Sequence, residues 1–524
     1  MIKTLAALAT FALLSISPHH ATAQTTLKVS MGGDLKILDP IWATNYLTRN
    51  YGYMVYDTLF AQDAKGALKP QMLESYTESP DKRLYTFTLR EGLMWHDGKP
   101  VTADDCVASI KRWSAKDPIG QKLASLITAM KIENAKTFSI SLKKPTSLLL
   151  FALGKSSPTV AFMMPKRVAE TSPNIQITDF TGSGPFVFKK DEWRPGDRAV
   201  FVKFDKYKPR AEPASGLAGG KTVKVDRVEW LAITDSQQAV NALEAGEIDY
   251  VLQPPHDLLP LLKDDKGVKL INWNPLGSYF VFKPNWLAKP FDNEKVRRAL
   301  WYAFNQKDFL NASIGNPEYY KVCKSLFPCD STFTSNEGIS DGLMESNFQK
   351  ARELLKEGGY DGTPIVLLQS TDLPGATNLA PVAKSLMEKA GFKVRIETMD
   401  WQTLIARRTK KDPPSAGGWH GFFTAWASPD VQDPISQIFL ATTCDKALYG
   451  WPCDAEMERL RENFSSETDP AKQKLIAEEI QVRNFQITAM INVGQWYQPA
   501  AVRANIKGVV PASVPVFWGI EKNK

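Results

Sequence analysis

The chain has 524 residues, 43% hydrophobic and 23% charged, which is the composition of a globular protein with room for roughly three domains or large lobes. Its net charge is +7, one fewer once Lys3 leaves with the leader described below, and the charges are interleaved. The densest basic run, Arg407 to Asp412, is short and ends in Asp-Pro-Pro, so it reads as a solvated face and not as a nucleic-acid stripe.

Lys3 gives a positive start, Leu5 to Ile16 is apolar apart from Thr10 and Ser15, and Ala21-Thr22-Ala23 fits a small-x-small cleavage site. This reads as a secretory signal peptide, residues 1–23, cleaved after Ala23. The run is shorter than the ~20 residues that span a bilayer, and no later stretch is long and apolar enough. With no cysteine at the cleavage site, the expectation is a soluble, exported protein without a lipid anchor.

The mature chain opens with a strand-like "TLKVSMGG", and Leu38-Asp39-Pro40 marks a turn. Tyr53, Tyr56 and Phe60 have helical spacing. Leu84 to Leu89 alternates as a strand, and His96 to Lys99 forms a turn before a helix. Thr102 and Asp105 form a capping box for that helix, with Cys106, Ile110 and Trp113 on its buried stripe. "KTFSISLKKP" alternates again. The glycines of "FTGSGPFVFKKDEW", Phe180 to Trp193, lack the Lys-Ser/Thr ending of a phosphate loop and read as a tight turn entering a strand.

"VDRVEWLAI" is a strand, and "DSQQAVNALEAGEIDYVL" is a helix stopped at Gly246 with a short strand behind it, a parallel crossover unit. From "GSYFVFKPN" the pattern restarts. A helix opened by Asp292 runs through "FDNEKVRRALWYAFNQKDFL", and a second runs through "NFQKARELLKEGGY". "PIVLLQS", "APVAKSLMEKAGF" and "KVRIETMDW" follow as strand, helix and strand. Two amphipathic helices, through "DAEMERLRENF" and "AKQKLIAEEIQVRNFQI", come next, their apolar residues core stripe. Strands and helices alternate throughout, giving an α/β class.

Two of the five cysteines pair closely with two others, Cys323 with Cys329 and Cys444 with Cys453. In an exported chain these are local disulfides, and no histidine or zinc-type spacing accompanies them. Cys106 is left as a buried free thiol. Only His96, His256 and His420 follow the leader, far apart, so no paired-histidine metal site is expected. No Gly-x-Ser-x-Gly elbow, Walker loop or dinucleotide fingerprint is present. Of the fourteen tryptophans, Trp42, Trp273, Trp401, Trp419, Trp426, Trp496 and Trp518 fall at strand ends or loops. Each alone reads as core, but together they suit a cleft that buries a small organic ligand.

Seven segments in order carry a resemblance: "LDPIWATN…VYDTLF", "YTFTLREGLMWHDGKPVTADDCVASIKRW", "GSGPFVF…W…G", "ALEAGEIDY", "FDNEKVRRALWYAFNQ", "ARELLKEGGYDG" and the stretch "AWASPDVQDP". The chain resembles the dipeptide/oligopeptide-binding family of extracytoplasmic solute-binding proteins, family 5, the receptors that feed ABC importers. The resemblance implies a two-lobed periplasmic binding protein-like fold (type II, large class) with an extra subdomain. Lobe I would comprise 24–60, 182–277 and 499–524, the inserted subdomain 61–181, and lobe II 278–498, hinged near Gly277 and Pro499.

It also implies no catalysis and no cofactor. The partners would be a peptide or small-molecule ligand and the permease subunits of the inner membrane, with no nucleic acid, and the protein would be a periplasmic monomer. Alternatives are a receptor of the same fold for a metallophore, opine or other small solute and, from another class, a secreted hydrolase using Asp430 and a second carboxylate.

In peptide-binding members an acid of the "AWASPDVQDP" stretch holds the ligand's α-amino group. Asp430 matches best, although one extra residue leaves Pro429 as the other occupant of that position. Asp433 reads as the cap or turn residue of a following helix "PISQIFL". Trp426 and Trp401 are expected as walls, Asp372 as a polar contact, and Trp273 with Asn274 on the lobe I side. The arginine that dipeptide-selective members place in the loop after "PIVLLQS" is missing here; Arg407 or Arg408 could replace it or form a solvated face. Asn305-Gln306 departs from the family pattern at a cap.

Overall fold

The computed structural model describes residues 24–371, 373 and 375–523; the expected leader and the candidate Asp372 lie outside the described residues. Two large sheets and a smaller one organise the chain. In the first, the strand Thr26–Ser30 runs through the middle of seven strands, with Leu27 and Val29 buried. It pairs in parallel with Arg227–Leu231 on one side and Tyr250–Val251 on the other. The helix Ser236–Glu244, capped by Asp235, carries the crossover between those two flanking strands. Gly246, at φ +75°, supplies the left-handed turn that ends it. Phe186–Phe188, Arg198–Lys203, Ala500–Arg503 and Val268–Ile271 complete the sheet.

The second sheet has six strands, in the order Tyr320–Lys321, Ile491–Trp496, Ser278–Pro284, Gly421–Ala427, Ile365–Ser370 and Val394–Met399. Tyr279, Phe280, Val281 and Phe282 are all fully buried, because this strand has core on both faces and so reads as an unbroken apolar run. The chain passes between the two sheets twice, through 272–277 and 497–499. These crossings touch: a Cβ on Gly277 would lie 2.3 Å from the Trp496 carbonyl oxygen.

The third sheet is antiparallel, spans Leu73 to Leu142, and packs against the helix Ala103–Ser114. That helix has the expected capping box, Thr102 with Asp105, and buries Cys106, Ile110 and Trp113. Arg112 on the same helix makes a bidentate pair with Asp39 of the "LDP" turn, at 3.0 and 2.7 Å, both side chains almost fully buried. The subdomain is thereby tied to the first sheet's lobe.

Three local expectations change. The spacing of Tyr53, Tyr56 and Phe60 is not one helix: the helix Tyr46–Val55 stops there, and Phe60 begins the strand Phe60–Gln62. The reason is the "TGSG" turn, whose Gly184 N–H bonds the Val55 carbonyl and whose Gly182 has no room for a Cβ, which would lie 1.8 Å from that oxygen. The stretch from Asp292 to Leu310 is two helices, Glu294–Ala303 and Gln306–Ser313. They are capped by Asn293 and Asn305, so Asn305 serves as a cap while Gln306 is buried against Cys323 and Asn492. Trp419, Trp496 and Trp518 belong to the core. Both expected disulfides are present, and Cys106 is free and buried, which raises its thiol pKa.

Candidate ligand cleft

The helix Tyr46–Val55 starts the first lobe's side of the cleft. Asn45 caps it by accepting from the Thr48 N–H. Although it carries polar residues, Thr48, Arg49 and Asn50 are all buried. Arg49 is spent on near neighbours: Nε and Nη2 donate to Asn50 Oδ1, and Nη1 donates to Ser157 Oγ at 3.1 Å. Its guanidinium also lies 4.3 Å from the Tyr46 ring centroid.

Opposite it, the strand Gly421–Ala427 runs into a 3₁₀ turn at Ser428–Asp430. Asp430 points back across the cleft. Its Oδ2 accepts from Tyr46 Oη at 2.6 Å, and its Oδ1 stands 3.6 Å from Arg49 Nη1. The Arg49 and Asp430 side chains are only 3% and 2% exposed, so this is a buried ion pair between lobes. Burial and the neighbouring carboxylate hold the Tyr46 hydroxyl well above its usual pKa, which keeps it a donor. Asp430 Oδ1 has no hydrogen-bond partner in spite of the nearby cation.

Asp433 faces elsewhere. Its Oδ1 accepts from the Ile435 and Ser436 N–H groups and its Oδ2 from Ser436 Oγ. The expected cap is thus made, but on a turn, since the helical segment that follows is only the short 3₁₀ piece Ile438–Leu440. Desolvation raises the Asp433 pKa, with the Ser436 and Ile435 bonds opposing. The two acids of the "PDVQDP" stretch therefore do not form a couple around one substrate atom.

Beneath the Tyr46 helix a cavity of about 410 Å³ is lined by Tyr46, Arg49, Asn50, Gln253 and Trp273 among others. It lies past the ends of Thr26–Ser30 and Tyr250–Val251, the switch point where such sheets take ligands. Trp273 is 7% exposed and its Nε1 is buried without a partner. Asn274 sits beside it and donates to the Gly277 carbonyl in the crossing segment, away from that cavity.

On the other lobe, Phe422 and Trp426 point to one face of their strand, roughly 13 Å apart by the strand rise. Phe439 joins them, with ring centroids 6.3 and 5.7 Å away. Phe422 and Phe439 are core, with Trp426, Trp401 and Tyr449 packed against it, and Arg408 joins this cluster, its guanidinium 4.3 Å from Tyr449, 5.3 Å from Trp401 and 5.4 Å from Phe422. It makes no ion pair among the described residues, its Nε is buried and unpartnered, and desolvation lowers its pKa. Arg407 is used up locally, paired with Glu397 and donating to the Gly417 and Gly418 carbonyls. Of the two arginines the sequence offered, Arg408 is the one held by Tyr449 and aromatic rings and not by a carboxylate among the described residues.

The segment 122–147 also meets the second sheet's side of the molecule, far from the crossings. Thr146 Oγ1 and the Ser147 N–H both donate to the Ser465 carbonyl, and Lys122 and Lys144 flank Glu462. No group of His, Cys, Asp and Glu among the described residues could hold a metal ion, and no helix among them is long and apolar enough to cross a membrane. Sequence reasoning missed Arg49 and Tyr46. The signal available was an arginine set among tyrosines, Tyr46, Tyr51 and Tyr53, in one short stretch.

A model of the bacterial extracellular solute-binding proteins, family 5 (Middle), matches residues 67–447. The relative named "Probable peptide ABC transporter periplasmic-binding protein y4tO", from Sinorhizobium fredii (strain NBRC 101917 / NGR234), is 37% identical over 99% of this chain and 98% of its own. A dipeptide binding protein from Pseudoalteromonas sp. SM9913, solved with Met-Leu, superposes with a TM-score of 0.76 at 19% identity, covering 95% of this chain and all of that one. The binding protein AgaA of A. tumefaciens R10, solved with agropinic acid, gives 0.73 at 22% identity, with 95% and 99% coverage.

Proposed function

The chain belongs to the bacterial extracellular solute-binding proteins of family 5, and on that premise we propose that it is the periplasmic receptor of an ABC importer. It captures a peptide or peptide-like, amine-bearing solute between its lobes and hands it unchanged to the permease. In this reading residues 1–23 are the cleaved leader, and the mature protein is a periplasmic monomer. Lobe I is 24–60, 182–277 and 499–524, the subdomain is 61–181, lobe II is 278–498, and the crossings at Gly277 and Pro499 are the hinge.

The observation that carries the reading is Asp430: a buried carboxylate, presented by one lobe, met by groups of the other, and keeping one oxygen free of hydrogen bonds. A receptor of this kind needs two rigid lobes, a hinge and a desolvated charge for the ligand. A ligand ammonium takes the place of Arg49 at Asp430, Trp426 and Trp401 supply apolar wall, and Arg408 stands ready for an acidic group. Asp372 is retained as a polar contact, with Trp273 and Asn274 on the first lobe's side.

The test is thermal melting of the purified protein with di-, tri- and longer peptides and small amines. A ligand at a hundred times its Kd stabilises by about 2.7 kcal/mol, and no shift across the panel would overturn this ligand class. Asp430→Ala weakens the binding found by about 2–5 kcal/mol, and unchanged affinity would remove Asp430 from the site. Mass spectrometry of the mixture returns the ligand intact; turnover would establish the hydrolase instead.

A further inference from the structure

Resting on the receptor reading and on Asp430 as its ammonium site, we infer that Arg49 and Asp430 together receive an α-amino-acid head group. The ammonium goes to Asp430 and the α-carboxylate of the same carbon goes to Arg49. The favoured solutes are then those whose opposite charges sit on one carbon at the end of a side-chain linkage, such as γ-linked peptides. Ordinary α-linked peptides, whose termini lie a residue or more apart, are disfavoured.

The geometry of the pair points this way. The two charges face each other at 3.6 Å, buried, yet Asp430 Oδ1 takes no hydrogen bond and Arg49 gives its bonds to Asn50 and Ser157. Each partner is hydrogen-bonded to other groups but not to the other, so the desolvation of Asp430 Oδ1 is met only by the charge 3.6 Å away. Because the partners belong to different lobes, opening the cleft separates them without breaking either one's local support. A zwitterionic head entering there gives Asp430 a donor that can reach its bare oxygen and gives Arg49 an acceptor for its fork. Tyr46 stays on the other carboxylate oxygen.

The surroundings agree. The cavity of about 410 Å³ beside Arg49 is lined by Asn50 and Gln253, whose side-chain amides can donate to a carboxylate, and by Trp273. An α-linked peptide reaches Asp430 with its ammonium but carries its carboxylate away by about 3.3–3.6 Å per residue. Arg49 is then displaced from Asp430 with nothing to take its charge.

The experiment compares two isomers of equal composition and charge, γ-glutamylalanine and α-glutamylalanine, by calorimetric titration of the purified mature protein. The expected result is at least a 30-fold preference for the γ-isomer. γ-Aminobutyrylalanine, which lacks only the α-carboxylate, should bind at least 30-fold more weakly than γ-glutamylalanine. In Arg49→Gln the three probes should fall within about threefold of one another.

Equal or tighter binding of the α-isomer, or a preference that survives in Arg49→Gln, overturns the head-group inference and leaves the peptide receptor standing. So does silence from both isomers when other peptides raise the melting temperature. If no peptide does so, both readings fall. Should Arg49→Gln not fold, the wild-type comparison with γ-aminobutyrylalanine decides alone.

Discussion

Tyr46 and Asp430, 384 residues apart in the chain, meet across the cleft in a hydrogen bond of 2.6 Å. Its acceptor is a buried carboxylate, so it belongs to the stronger class, worth about 1.5–3 kcal/mol. Tyr46→Phe removes the donor and keeps the ring beside Arg49. The closed form of the ligand-free protein should lose about that much stability, and small-angle scattering should show a larger radius of gyration. An unchanged radius would mean that the contacts at Ser465 and Glu462 hold the lobes together unaided.

Gly182→Ala tests where the "TGSG" turn crosses the end of the Tyr46–Val55 helix. The added Cβ would lie 1.8 Å from the Val55 carbonyl oxygen, a backbone atom at a helix end that cannot yield cheaply. A loss above about 3 kcal/mol in denaturant unfolding is expected, in the class of severe core substitutions. A melt like the wild type's would show that the turn can move.

His96 sits in the same crossing. Its Nδ1 accepts from the Gly182 N–H and its Nε2 faces the Gly184 carbonyl at 3.0 Å, so the neutral ring with the proton on Nε2 suits both. Burial lowers its pKa from 6.5 to about 4. Below pH 6.5 the unfolded chain takes up a proton that the folded protein refuses, so stability falls as pH drops from 6.5 towards 4, by about 2–3 kcal/mol from this residue. Unfolding curves at pH 7, 5.5 and 4 check this, and His96→Asn should flatten that limb.

Lys283 gives the opposite end of the profile. It is buried in the second lobe, donates to the Phe439 and Ala489 carbonyls, and desolvation lowers its pKa to about 7. Between pH 7 and 10.5 the unfolded chain holds a proton that the folded one has released, so this residue costs most below pH 7. Its cost is relieved as pH rises through that window, by up to about 4 kcal/mol. Lys283→Met should remove the rise; if stability climbs with pH just as before, another group is responsible.

What was legible in the sequence were features whose cause is local. The Thr102 box, the helix stop at Gly246, the alternation of Leu84 to Leu89 and the paired cysteines each depend on residues a few positions apart. The family resemblance marks Asn305 as a cap, while the helical period runs on through it; the break into two helices is shown by its side chain accepting from Lys307 N–H. The end of the Tyr46–Val55 helix is set by glycines far down the chain, which no local pattern contains.

The site divides in the same way. Asp430 could be named from one stretch because the family resemblance points to an acid there, with Trp426 beside it. Arg49 could not, since its meaning comes only from what faces it across two lobes. Arg407 and Arg408 are neighbours with the same chemistry, and only three-dimensional surroundings separate the one held by Glu397 from the one enclosed by Tyr449, Trp401 and Phe422.

Tyr449, the ring nearest to Arg408, lies inside the short loop closed by Cys444 and Cys453. The tie restrains the unfolded chain by about 2–3 kcal/mol in the chain-entropy model, but its local effect is to fix where that ring stands. The bond between two cysteines thus serves a side chain that is neither of them, holding the ring that stands over Arg408.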